Sequence, residues 1–264
     1  MSNLQKERII KEKLQKLIER IRLMKEVDND HVIKLAKERI NELQQRGIHG
    51  IDKFLQKLVD RANNKEDYLD ILMEGRFAII LARNGFSDIE IEYCEKGPDL
   101  KAGWNRETVY FEVTRRRPSE DEKQSSSSGR GVYAVKRAKS EDIIGKIQGE
   151  LHHLKGTEIN IVVLWSDTAE WNENTVREAQ KYIEEEICDD PNRYKVLGGI
   201  LFTTGGYKYS THEQFFLFEN NKASKPLEFR LIKKLKSLHE QDLKQLKREQ
   251  RELEAAFKRL RDAD

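Results

Sequence analysis

The sequence predicts an α/β protein: a mixed central sheet flanked by helices, with helical extensions at both ends. Three observations carry this. Residues 100–102 and 108–114 read as two strands of a hairpin, the second β-branched and aromatic with alternating sides, around the turn composition Gly103-Trp104-Asn105-Arg106-Glu107. Residues 158–165, 173–187 and 196–202 read as strand, helix and strand, which implies a right-handed parallel crossover. Finally, both ends of the chain carry apolar residues at helical spacing.

Composition sets the bounds. The chain has 264 residues, 36% charged and 37% hydrophobic, with a formal net charge of +2. This suits one elaborated domain or one domain with helical appendages, and we divide it at 1–65, 66–227 and 228–264. A nucleic-acid partner must rest on local basic clusters, because the total charge is nearly balanced. No apolar run approaches membrane-spanning length, and the first twenty residues lack a secretory apolar core. Cys94 and Cys188 are far apart and in no ligand spacing, which points to a reducing compartment without a zinc site. A cytoplasmic protein is expected.

In chain order, Ile10, Leu14, Leu17, Ile21 and Met24 repeat at 4-3-4-3 spacing, two heptads of an apolar seam. Asn29 or Asp30 can cap a second helix that runs to about Gln45 before Gly47 stops it, and residues 51–61 form a third with Phe54, Leu55 and Leu58. These helices pack on the domain or pair between chains. Their interspersed charges suit a solvated face better than a nucleic-acid clamp. Residues 66–84 form a helix apolar nearly all round, which must be buried. Glu74 shares a side with Ile71, Phe77, Ala78 and Leu81, so it needs a partner or a metal; Arg76 and Arg83 are the candidate charge partners. Gly85 ends this helix, and residues 87–94 alternate as a half-buried strand.

Folding the hairpin about Asn105-Arg106 sets Asp99 opposite Glu112, with Cβ atoms about 5 Å apart. Two carboxylates that close repel unless a cation lies between them or one is protonated. Oxygen ligands of this kind suit Mg²⁺ or Mn²⁺. Beyond Glu112, residues 115–139 hold eight basic and three acidic side chains around the low-complexity run Ser125 to Ser128. Arg115, Arg116, Arg117, Arg130, Lys136, Arg137 and Lys139 are the candidate phosphate ligands.

Residues 143–154 form a helix with the stripe Ile143, Ile147, Leu151 and Leu154; Lys146 and Gln148 flank it. His152 and His153 point about 100° apart and are poor joint ligands, so they are left out of the site. Residues 158–165 are apolar without strict alternation, as in an internal strand covered on both faces. Trp165, Trp171 and Tyr207 suit core or rim packing better than base stacking. Residues 214–218 form a last aromatic strand. Leu231, Leu235, Leu238, Leu246, Leu253, Phe257 and Leu260 form an imperfect seam in residues 228–264. Two unpaired seams in one chain predict a homodimer.

A helix bearing Glu74, then Pro98-Asp99 at a strand start, then a strand with Glu112-Val113-Thr114, resembles the PD-(D/E)XK nucleases, the restriction-endonuclease-like superfamily, over roughly residues 66 to 220. The resemblance implies an α-β-β-β core and metal-dependent hydrolysis of phosphodiesters, most readily in DNA. Asp99, Glu112 and the Val113 carbonyl would hold one or two Mg²⁺ (or Mn²⁺), and Glu74 would complete the shell. Thr114 departs from the pattern, because it stands where the family usually has lysine. Lys146 on the neighbouring helix, or Lys101 on the strand side of Asp99, would then supply the charge; Thr114 and Gln148 are secondary. Without such a lysine, the alternatives are a nuclease-like module that only binds nucleic acid, or a coiled-coil assembly protein.

Overall fold

A two-residue turn starts the sheet. In the computed structural model, which describes residues 3–23, 29–92, 97–116, 140–166, 173–204 and 214–238, Asn105 and Arg106 both take positive φ, 48° and 70°. That is the backbone a tight hairpin requires, since its twist matches the strands it joins. The turn joins β2 (Leu100–Trp104) to β3 (Glu107–Arg116), with Leu100 opposite Phe111. One step beyond that pair, Asp99 comes level with Glu112.

The six described strands follow chain order across the sheet, with β1 (Ser87–Ile91), β4 (Ile159–Ser166), β5 (Gly199–Thr204) and β6 (Gln214–Glu219) completing it. β1, β2 and β3 pair antiparallel, β3, β4 and β5 pair parallel, and β6 returns antiparallel. The protein is therefore α/β with a mixed sheet flanked by helices. The helices are α1 (Asn3–Arg22), α2 (Asn29–Gln45), α3 (Ile51–Arg61), α4 (Lys65–Arg83), α5 (Ser140–Glu150), α6 (Glu173–Asp189), α7 (Pro191–Tyr194) and α8 (Phe229–Lys236).

Alternation along β4 divides the core. Ile159, Ile161, Val163 and Trp165 face the layer built from α1 to α4 and α8. Val162 and Leu164 face α5, α6 and α7 with Ile143, Ile147, Val176 and Ile183. α4 is enclosed by this arrangement, and its residues Ile71, Leu72, Met73, Phe77, Ile79, Ile80 and Leu81 are all buried. Asn64 caps it, accepting from the backbone N–H groups of Glu66 and Asp67 at 3.0 and 3.3 Å.

Several boundaries move. β1 stops at Ile91 because Glu92 turns left-handed at φ 56°, and Asp88 (φ 47°) makes a bulge that shifts register between Ser87 and Glu90. The helix expected over 143–154 ends at Glu150 and tightens into a 3₁₀ turn, Leu151–His153. The strand expected over 196–202 runs instead from Gly199 to Thr204. The N-terminal seam is covered inside the chain. Leu17 and Ile21 are fully buried and Ile10 and Leu14 pack on the same core, and Leu231, Leu235 and Leu238 of the second seam are buried there too, so the described parts of both stripes behind the dimer expectation are covered within the chain. Met24, Leu246, Leu253, Phe257 and Leu260 lie outside the described residues. No helix among the described residues is long and apolar enough to cross a membrane.

Two glycines seat α3. Gly50 precedes it at φ 79°, where a Cβ would lie 1.9 Å from the Ile91 carbonyl oxygen. The adjacent His49 bridges to β1, its N–H donating to Ile89 O at 2.9 Å while its carbonyl accepts from Ile91 N at 3.0 Å. Gly75 on α4 gives room to the Phe54 ring, which a Cβ would meet at 2.6 Å. Gly50→Ala is expected to destabilise the fold by more than the roughly 1–3 kcal/mol that strained backbone alone costs. Gly47→Ala is its control, with φ 67° and no atom within 4 Å of the added Cβ. Urea unfolding of the two variants reads the difference.

Candidate functional site

α3, α4, the end of β1 and the start of β2 each deliver one charged group to a common point. Lys57 Nζ of α3 lies 3.0 Å from both Glu74 oxygens, 2.7 Å from Glu92 Oε1 and 3.3 Å from Asp99 Oδ1. An ammonium has three protons to donate, and three carboxylates surround it. Glu74, Glu92 and Asp99 each offer an oxygen within 4.8 Å of the others'. The second oxygen of Asp99 accepts from Val113 N–H at 2.9 Å, which ties the start of β2 to β3.

Glu112 belongs to an adjoining group. Strand alternation sets Glu112 on the β3 side that faces α5, whereas Glu74 comes from the opposite layer. Its Oε1 lies 2.7 Å from His153 Nδ1, and Glu150 Oε2 lies 3.4 Å from the same nitrogen. These three residues likewise offer ligand atoms within 4.8 Å of one another. Glu112 is 5% exposed, and its Oε2 has no hydrogen-bond partner among the described residues.

Electrostatics couples the two groups. Burial, with the charge of Asp99 next, raises the Glu74 carboxyl well above the usual range. Burial also raises Asp99, against the pull of Lys57 and the Val113 N–H. Burial, Asp99 and Glu150 push Glu112 up to about 10 in the metal-free chain, so a cation beside it would compete with a proton. Lys57 is pulled down by burial, but the charges of Glu74, Asp99 and Glu92 outweigh that and keep it protonated far into the alkaline range. Carboxylates outnumber the ammonium, an excess of negative charge that suits a cation. The orphan oxygen of Glu112 and the oxygen-rich donor set fit a divalent ion; the position among Glu74, Glu92 and Asp99 is already answered by Lys57.

The remaining candidates separate. Thr114 is buried on the Glu112 side of β3, and Val113 is buried on the α4 side. Lys101 pairs with Glu90 at 3.1 Å. Gln148 donates to Glu186 and to the Tyr194 hydroxyl at 3.0 and 2.9 Å, which ties α5 to α6 and α7. Lys146 is half-buried on α5. Arg115 is a correction: it is 2% exposed and bound to Glu66 and Asp70, the latter at 2.6 Å, so it clamps β3 to α4 and offers nothing to a phosphate. The physical reason is parity, since Arg115 points to the same side as Phe111 and Val113. Arg116 ends β3. Arg117, Arg130, Lys136, Arg137 and Lys139 lie outside the described residues, as do Trp171 and Tyr207. Trp165 is fully buried under the Arg76 guanidinium, and Arg83 pairs with Glu42, so neither arginine is the partner of Glu74.

Sequence reasoning missed Lys57, Glu92, Glu150 and His153. Lys57 carried a signal: three residues after Phe54 and one before Leu58, it borders the apolar face of α3. His153 was set aside with His152 as a pair, although one histidine alone reaches Glu112.

Because the metal-free fold raises the Glu112 carboxyl from 4.5 to about 10, its contribution to stability is complete below the lower value and lost as pH rises toward the upper one. Glu112→Gln mimics the protonated form. Urea unfolding across pH 5–9 is expected to show a decline shallower than in the wild type by up to about 1.4 kcal/mol per pH unit.

Comparison with protein-family models, with curated proteins and with solved structures gives no match for this chain.

Proposed function

We propose that this chain is a metal-dependent nuclease on a restriction-endonuclease-like core, hydrolysing phosphodiester bonds in DNA. The observation that carries the reading is the meeting of Glu74 and Asp99, from α4 and the start of β2, within 4.8 Å, with Glu112 level with Asp99 on the next strand. The order α4, β1, β2, β3 also follows the α-β-β-β core that the sequence resemblance implies.

Asp99 and Glu112 would hold Mg²⁺ or Mn²⁺ with the Val113 carbonyl, and Glu74, already paired with Lys57, would complete the shell through water. The ion supplies polarisation of the phosphoryl oxygen and a lowered pKa for a bound water. Val113 N–H orients the Asp99 carboxylate. Thr114 can hydrogen-bond a water but cannot offset phosphate charge. Lys57 takes the part that Thr114 cannot, in preference to Lys146 or Lys101: it is protonated, it already touches Asp99 and Glu74, and its α3 scaffold is anchored at Gly50 and Gly75. A cytoplasmic protein that grips DNA through the basic residues after β3 belongs to the same proposal.

The test is cleavage of plasmid and branched DNA in Mg²⁺ or Mn²⁺. Cleavage is expected in the wild type and is lost in Asp99→Asn and Glu112→Gln. Lys57→Ala lowers the rate about a hundredfold, a larger loss than in Lys146→Ala or Lys101→Ala. DNA bound without cleavage in either metal would overturn the enzyme in favour of a binding module.

A further inference from the structure

Glu112, Glu150 and His153 form a second donor group with a character of its own. The three come from β3, the last turn of α5 and the 3₁₀ turn that follows. That 3₁₀ turn swings His153 back over the strand, so that its Nδ1 lies 2.7 Å from Glu112 Oε1 and 3.4 Å from Glu150 Oε2. One ligand atom from each residue falls within 4.8 Å of the other two. Donors about 2.1–2.2 Å from a shared ion stand at separations of this order.

A second observation points to a ligand. Glu112 is 95% enclosed, yet its Oε2 is shielded from solvent and has no partner among the described residues. A buried carboxylate oxygen in that state costs free energy until a cation or proton answers it. The neighbouring acids differ in this respect, since Lys57 already lies among Glu74, Glu92 and Asp99. A cation entering there would have to break three ion pairs. On the α5 side of Glu112 no lysine or arginine is paired with these carboxylates among the described residues, and two carboxylates match a divalent charge. The His153 side chain is 35% exposed, which leaves solvent a way to complete the coordination shell.

The imidazole sets the metal class. Magnesium prefers oxygen donors and retains its waters, whereas imidazole with carboxylates suits manganese, iron or zinc. We propose that Glu112, Glu150 and His153 form a binding site for a divalent transition-metal ion, occupied before any substrate arrives. The site shares Glu112 with the nuclease reading but does not rest on phosphodiester cleavage, because binding is read without nucleic acid.

The experiment uses the full chain and the metals alone. Calorimetric titration is expected to show Mn²⁺ binding at least about tenfold more tightly than Mg²⁺, and His153→Gln and Glu150→Gln are each expected to weaken Mn²⁺ about tenfold or more. Crystals of the wild type soaked in Mn²⁺ should show an anomalous peak beside His153 Nδ1, a reading that does not depend on the variants folding. Unchanged Mn²⁺ affinity in His153→Gln, or no Mn²⁺ binding at all, would overturn the site. So would a peak among Glu74, Glu92 and Asp99 with Lys57 displaced, which would leave a nuclease metal site but remove the role given to Lys57. Mn²⁺ held at His153 by a chain that cleaves no DNA would sink the nuclease reading and leave this site standing.

Discussion

The ammonium of Lys57, held within 3.3 Å of three carboxylates, is the interaction on which the centre of this molecule depends. Glu74, Glu92 and Asp99 arrive from different elements and would repel one another in a shielded pocket. Removing water from them strengthens that repulsion, and an opposite charge in their midst or a bound proton relieves it. Burial first, and the excess of acids over one cation second, raises the carboxyls of Glu74, Asp99 and Glu112.

The position of that lysine is set by backbone contacts at some distance from it. Gly50 lets the loop before α3 lie against Ile91 at the edge of the sheet, and Gly75 lets α3 settle on α4 through Phe54. His49 bridges to β1 and covers part of its edge. The N-terminal helices thus reach the chemistry of the sheet as well as its packing: α1 buries Leu17 and Ile21 in the same core, and α3 contributes a charged group to the site.

On the other side of the hairpin, parity along β3 sorts the chemistry. Odd-numbered residues from 109 to 115 turn toward α4, where Phe111 and Val113 join the core and Arg115 meets Glu66 and Asp70. Glu112 and Thr114 turn toward α5. A single strand therefore separates the Arg115 ion pairs from the Glu112 carboxyl, with Asp99 reaching across the start of β2 to the Val113 N–H.

How much of this was legible follows from the range of each interaction. The hairpin about Asn105-Arg106, the buried strand over 159–166, the enclosed helix bearing Glu74 and the crossovers are written in local periodicity and turn composition, so the sequence by itself determined an α/β fold with a mixed sheet and set Asp99 opposite Glu112. Parity also made the buried side of Arg115 readable, although charge alone suggested phosphate. The sequence could not show that Lys57, forty-two positions before Asp99, enters the acidic group, nor that the end of α5 tightens so that His153 reaches Glu112. Those contacts depend on how closely α3 seats on α4 and where a helix gives way to a 3₁₀ turn. Tertiary packing decided both, because side chains distant in sequence meet only where the backbones that carry them are allowed to approach.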